Sequence, residues 1–118
     1  MSEPPRFSRS DYLQHIHEAC ALILEYTRGM SKADFLKDRK TQQAVLLNFI
    51  TIGEAAALLA GEHGAFVAST PQIPWRKMRG MRNVMAHEYW SINVDVVWET
   101  VATSIPDLGA RIAELVST

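Results

Sequence analysis

Apolar residues recur along this chain at three-to-four-residue spacing, the period of a helix with one buried face. Tyr12, Ile16, Ala19, Ile23 and Tyr26 follow this rule and predict a first helix, capped by Ser8 or Ser10 and running to about Thr27. Gly29 closes it, and Ser31 opens a short helix over Ser31–Lys37. A long helix is predicted from about Arg39 to Glu62, with Ala44, Leu47, Ile50, Leu58 and Leu59 giving its apolar faces. Its middle, Ile52-Gly53-Glu54-Ala55-Ala56-Ala57, is built of small residues. Gly53 costs about 1 kcal/mol of helix propensity relative to alanine, so close helix packing is the expected compensation.

Gly61, Gly64, Ser69, Thr70 and Pro71 mark the stretch from Gly61 to Ile73 as a loop. Pro74 fits a first helical position, and a fourth helix is predicted from there to about Glu88. Asn93 reads as the cap of a last helix, with Val94, Val97, Trp98 and Val101 on one face. Pro106 breaks or kinks it before Leu108, Ile112 and Leu115 continue. Strand-type alternation is absent. The expected fold is an all-α, up-and-down helical bundle forming one domain over residues 1–118.

Composition narrows the function. The 118 residues carry a net charge of −1, so the chain is not a polycation and any affinity for nucleic acid must come from a local patch. One cysteine, Cys20, excludes an intramolecular disulfide and fits a reducing cytoplasm. No apolar run is expected to reach the roughly 20 residues that span a bilayer. The N-terminal Met1-Ser2-Glu3-Pro4-Pro5 lacks the basic start and apolar segment of a signal peptide. The expectation is a cytoplasmic protein with no membrane partner.

The chemistry concentrates in Met81-Arg82-Asn83-Val84-Met85-Ala86-His87-Glu88-Tyr89. Arginine holds phosphate through a rigid fork of donors, and histidine trades a proton near neutral pH. Together they form a minimal kit for cleaving RNA without a metal. On an ideal helix Asn83 and His87 share a face, whereas Arg82 and His87 lie roughly 140° apart. A two-fold dimer offers one way to bring such groups into a shared cleft. Arg76, Lys77, Arg79 and Arg82 occur between Trp75 and Ala86 with no acid among them, a positive stripe able to track a phosphate backbone.

The pattern Arg-Asn-x-x-x-His-x-Tyr resembles the signature of the HEPN superfamily, and the wider context resembles its HepT-like (DUF86) branch. That context comprises Ile52-Gly53-Glu54-Ala55, Ile73-Pro74-Trp75, Gly80-Met81-Arg82-Asn83, and Val97-Trp98 followed by Ile105-Pro106. The resemblance implies a homodimer with a composite site at its interface, and the toxin ribonuclease of a toxin–antitoxin pair. In such an enzyme a ribose 2′-hydroxyl attacks the adjacent phosphate and leaves a cyclic phosphate. His87 would move the proton, Arg82 would neutralise the phosphorane, and Asn83 would orient the imidazole or hold a phosphate oxygen. Tyr89 matches the residue to which a partner nucleotidyltransferase attaches AMP.

The alternative is a non-catalytic subunit that docks the nucleotidyltransferase and grips a nucleotide phosphate through Arg82 and His87. Glu54, in the small-residue belt, is expected to be partly buried and to pair with Arg79 or Arg82 in a structural salt bridge. Trp75 and Trp98 read as anchors of the core or of a dimer interface. His15, His17 and His63 lack ligand-spaced partners, so no metal or cofactor is assigned.

Overall fold

The computed structural model describes residues 7–85 and 91–117. Seven α-helices order these residues: α1 (Arg9–Tyr26), α2 (Lys32–Lys37), α3 (Arg39–Glu62), α4 (Gly64–Ser69), α5 (Trp75–Gly80), α6 (Val94–Glu99) and α7 (Ile105–Val116). A 3₁₀ segment, Met81–Met85, extends α5, and a π-helical segment, Thr100–Ser104, joins α6 to α7. The architecture is all-α, with no strand among the described residues.

Helix starts follow local chemistry. Ser8, rather than Ser10, caps α1: its side chain accepts from the Asp11 N–H at 3.1 Å while Asp11 accepts from the Ser8 N–H at 3.0 Å. Ser31 and Asp34 repeat this reciprocal box at α2, and Asp38 caps α3 by accepting from Thr41. These hydrogen bonds, first from the backbone N–H and then from the side chain of Ser8, Ser31 or Thr41, hold the three carboxyls below the usual carboxylate range. Gly29, at φ 76°, ends the α1 turn in the left-handed region that glycine tolerates.

The core lies between α1 and α3 and is closed by α7 on one side and by α5 with its 3₁₀ extension on the other. Tyr12, Ile16, Ala19 and Ile23 are buried as their spacing predicts, whereas Tyr26 is exposed at the end of its turn. On α3 the inward face is Val45, Leu46, Phe49, Ile52, Ala56 and Leu59. The expected face was rotated from this one: Leu59 is inside, but Leu47 is 64% exposed. Charge-poor α3 offers apolar residues nearly all round, so periodicity alone does not choose its inner face.

α3 is also long and apolar enough to cross a membrane on length and composition alone, contrary to the sequence expectation. Here its inward residues form the centre of the bundle core.

The stretch after Gly61 holds a short helix rather than only a loop. Ala65-Phe66-Val67-Ala68 supply one turn between polar punctuators, and the Ser69 and Thr70 hydroxyls both donate to the Phe66 carbonyl. Thr70 in turn receives the Trp75 indole N–H, at 3.0 Å to its hydroxyl oxygen, which fixes the start of α5. Pro74 stands just before the first helical residue rather than at it. Asn93 caps α6 as expected, accepting from the Asp95 and Val96 N–H groups. Pro106 cannot donate to the carbonyl four residues back, and the widened π turns lie immediately before its helix.

Candidate functional site

The basic helix α5 has two faces. Trp75 and Met78 are buried in the core, while Arg76, Lys77 and Arg79 point into solvent. The predicted positive stripe is therefore a real exposed surface, ending at Arg82.

The helix does not run on in α form to Glu88. It ends at Gly80, and Met81–Met85 tighten into a 3₁₀ segment against α3. Opposite this segment sits Gly53. A Cβ on Gly53 would overlap the Arg82 backbone nitrogen and come within 2.8 Å of the Arg82 Cβ. Only glycine lets the two backbones meet, so the propensity that Gly53 gives up is exchanged for a close seat under Arg82.

That seat aims the side chain. Arg82 Nη1 stands 3.8 Å from Glu54 Oε2, with the two side chains 46% and 56% exposed. The partner was legible in the sequence, but the burial was not: Glu54 is exposed rather than partly buried, because the small belt turns Gly53 inward and its neighbour outward. Such a solvated pair contributes at most about 1 kcal/mol. Its consequence is orientation, since it leaves the rest of the guanidinium fork directed to solvent beside α3.

Asn83 is exposed on the same 3₁₀ segment. At three residues per turn it is rotated about 120° from Arg82. The ideal-helix angle between Arg82 and His87 therefore does not apply to this segment. His87 and Tyr89 lie outside the described residues. Trp75 is a core anchor, and Trp98 is half-buried against Phe35, with ring centroids 5.3 Å apart. His63 bonds the Phe7 carbonyl at 3.1 Å and His15 packs edge-on against Phe7, so both have structural roles. No cluster of three or more metal-ligating side chains occurs among the described residues.

The family model described as "Ribonuclease HepT-like" matches residues 16–115, a span that contains α3, α5 and the Arg82 segment. The chain belongs to this family. Among the relatives of this HepT-like chain is the "Probable ribonuclease HepT" of Thermococcus cleftensis, 42% identical over 108 residues, which cover 92% of this chain and 96% of the relative. A "Putative RNase" of Caldanaerobacter subterraneus subsp. tengcongensis is 35% identical over 104 residues, covering 88% and 90% of the two chains. Another protein named "Putative RNase", from Methanocaldococcus jannaschii, is 34% identical over 105 residues, covering 89% and 84%. No solved structure matches the chain at a significant level.

The HepT-like assignment agrees with the all-α bundle and with the blocks around Gly53, Trp75 and Arg82. The sequence pointed to close packing at Gly53 but not to Arg82 as the group packed there. The signal was the belt of small residues, which marks a close approach without naming its partner.

Proposed function

We propose that this HepT-like chain is a metal-independent endoribonuclease, the toxin of a toxin–antitoxin pair. The observation that carries the reading is the seat of Arg82: its backbone rests on Gly53 and its guanidinium is held near Glu54 at the end of an exposed basic stripe. A solvent-facing fork of donors on an anchored backbone suits the charge of a phosphorane formed in RNA transesterification.

In the proposed reaction the ribose 2′-oxygen forms a bond to phosphorus as the bond to the 5′-oxygen breaks. His87 takes the 2′-hydroxyl proton or supplies one to the leaving oxygen. Arg82 neutralises the equatorial oxygens, and Asn83 orients the imidazole or holds a phosphate oxygen. Arg76, Lys77 and Arg79 carry the flanking backbone. The products are a 2′,3′-cyclic phosphate and a 5′-hydroxyl.

The site is completed by a second copy. Leu47 and Glu54 are the exposed residues on one side of α3, and half-buried Thr51 lies between them. Antiparallel pairing about Thr51 places the two Gly53 seats about 6 Å apart along the helix direction, by the 1.5 Å rise per residue. Such a pairing would bring the two Arg82 segments to one cleft.

The antitoxin is a cognate minimal nucleotidyltransferase that transfers AMP to Tyr89. Each AMP adds a phosphodiester charge and a bulky base near Arg82, occupying the fork that substrate needs. The setting is the cytoplasm, where RNA and the partner are both available.

The nucleophile belongs to the substrate, which supplies the test. An RNA oligonucleotide should be cut in the presence of EDTA, and the same oligonucleotide with 2′-deoxyribose at the cleaved position should survive. Cleavage of the deoxy-substituted strand at that position would overturn the mechanism. Replacing Tyr89 by Phe should preserve cleavage and abolish AMP transfer by the partner.

A further inference from the structure

A second feature borders the same segment and has no part in the proposed chemistry. Between α5 and the π-helical turn leading into α7 lies an open groove of about 530 Å³, within the range of roughly 300–1,000 Å³ typical of small-ligand sites. Its lining combines the apolar Met78, Met81 and Leu108, of which Met81 has the most exposed surface, with the polar Lys77 on α5 and Ser104 and Asp107 on later elements. Thioether groups pack well on aromatic faces. The groove thus combines an apolar surface at Met81 with a cation, Lys77, and a carboxylate acceptor, Asp107, in one lining.

Asp107 is held in place. Arg111 Nε donates to its Oδ2 at 2.9 Å, and Arg111 Nη1 donates to the Gln72 carbonyl at 3.0 Å, tying α7 to the loop before α5. A carboxylate only accepts hydrogen bonds and has room for several, so the edge it favours carries adjacent donors. Among the four RNA bases that edge is guanine's, with a ring N–H beside an amino group. Adenine sets a ring acceptor beside its amino group and is repelled. The widened π turn at Thr100–Ser104 opens one wall of the groove, and such turns recur at functional sites.

We propose that this groove holds an unpaired guanine of the RNA substrate, packed against Met81 and read by Asp107, with Lys77 on its phosphate. The proposal rests on the reading that the protein acts on RNA. Met81 and Arg82 are neighbours on one 3₁₀ segment, about 120° apart around its axis, so the groove adjoins the segment that carries Arg82, and on this proposal the bound base belongs to RNA near the cut. The groove sets where the enzyme cuts; Arg82 and His87 perform the cut.

Binding is measured first, by the methyl resonances of methionine-labelled protein titrated with GMP and with AMP. GMP should move the Met78 and Met81 methyls and bind at least about tenfold more tightly than AMP, the effect of one hydrogen bond to a charged acceptor. Asp107→Asn should bring GMP and AMP within about twofold. Ser104→Trp should fill the groove and remove the GMP response while leaving the circular dichroism spectrum unchanged. No methyl response to GMP, or equal affinity for GMP and AMP in the wild type, overturns the proposal.

Cut ends are then mapped on a mixed-sequence RNA. Guanine enriched within a few nucleotides of the cut, and lost in Asp107→Asn, assigns the groove to RNA. GMP binding without such enrichment assigns it to a free nucleotide and overturns the proposal. A wild type that binds GMP with this preference but leaves RNA uncut refutes the nuclease reading instead.

Discussion

Gly53 and Arg82 meet backbone to backbone: no side chain fits between them, because a Cβ on Gly53 would occupy the space of the Arg82 nitrogen. The contact joins the centre of the longest helix to the residue on which the proposed chemistry depends.

Gly53→Ala therefore has two opposed effects. Alanine gains about 1 kcal/mol of helix propensity, while forcing a methyl into a filled space costs roughly 1–3 kcal/mol. The expected balance is a loss of about 0–2 kcal/mol in urea unfolding, with cleavage falling more than tenfold because the Arg82 segment is lifted from α3. Unchanged cleavage in a folded Gly53→Ala protein would mean that this seat does not position the site.

The proposed dimer predicts that Leu47→Asp yields a monomer. Leu47 is 64% exposed in one copy, so the substitution should spare the helical content while halving the mass measured by light scattering. Cleavage should fall with it, since each copy then holds half of the cleft. A Leu47→Asp protein of unchanged mass would exclude this face of α3 as the interface.

How much of this was legible in the sequence depended on which physical signal was local. The caps at Ser31 and Asn93, and that at Ser8 as one of two candidate serines, were readable because a side chain bonds the backbone two or three residues away. The inner face of α3 was not, because apolar residues surround that helix and only its neighbours decide which are covered. Arg82 was one of two partners, with Arg79, expected for Glu54 on the premise that its carboxylate is partly buried. Its exposure depended on the rotation of α3, which no pattern within the helix fixes. The end of α5 at Gly80 and the 3₁₀ winding after it go with a contact between Arg82 and Gly53, 29 positions apart in sequence, which no local pattern marks. The short helix at Gly64–Ser69 was hidden by the loop-forming residues that flank it.

Cys20 provides a pH-dependent check on the core. Burial between α1 and its neighbours pushes its thiol up to about 12, from an ordinary value of 9.0. Above about pH 9 the unfolded chain releases this proton while the folded chain keeps it, so unfolding becomes easier as pH rises towards 12. The slope from this group approaches about 1.4 kcal/mol per pH unit. Cys20→Ala should flatten that part of the stability profile relative to wild type. Identical profiles between pH 9 and 11 would place the thiol in a wetter environment than the core described here.

The most direct measurement of the account's centre compares wild type, Arg82→Ala and His87→Ala, each purified without the partner and incubated with total RNA in EDTA. Cleavage by wild type, a loss of at least about 100-fold in both variants with their fold retained, and cyclic-phosphate ends are the expected results. Equal cleavage by all three proteins, or no cleavage by a folded, unmodified wild-type dimer, would contradict it.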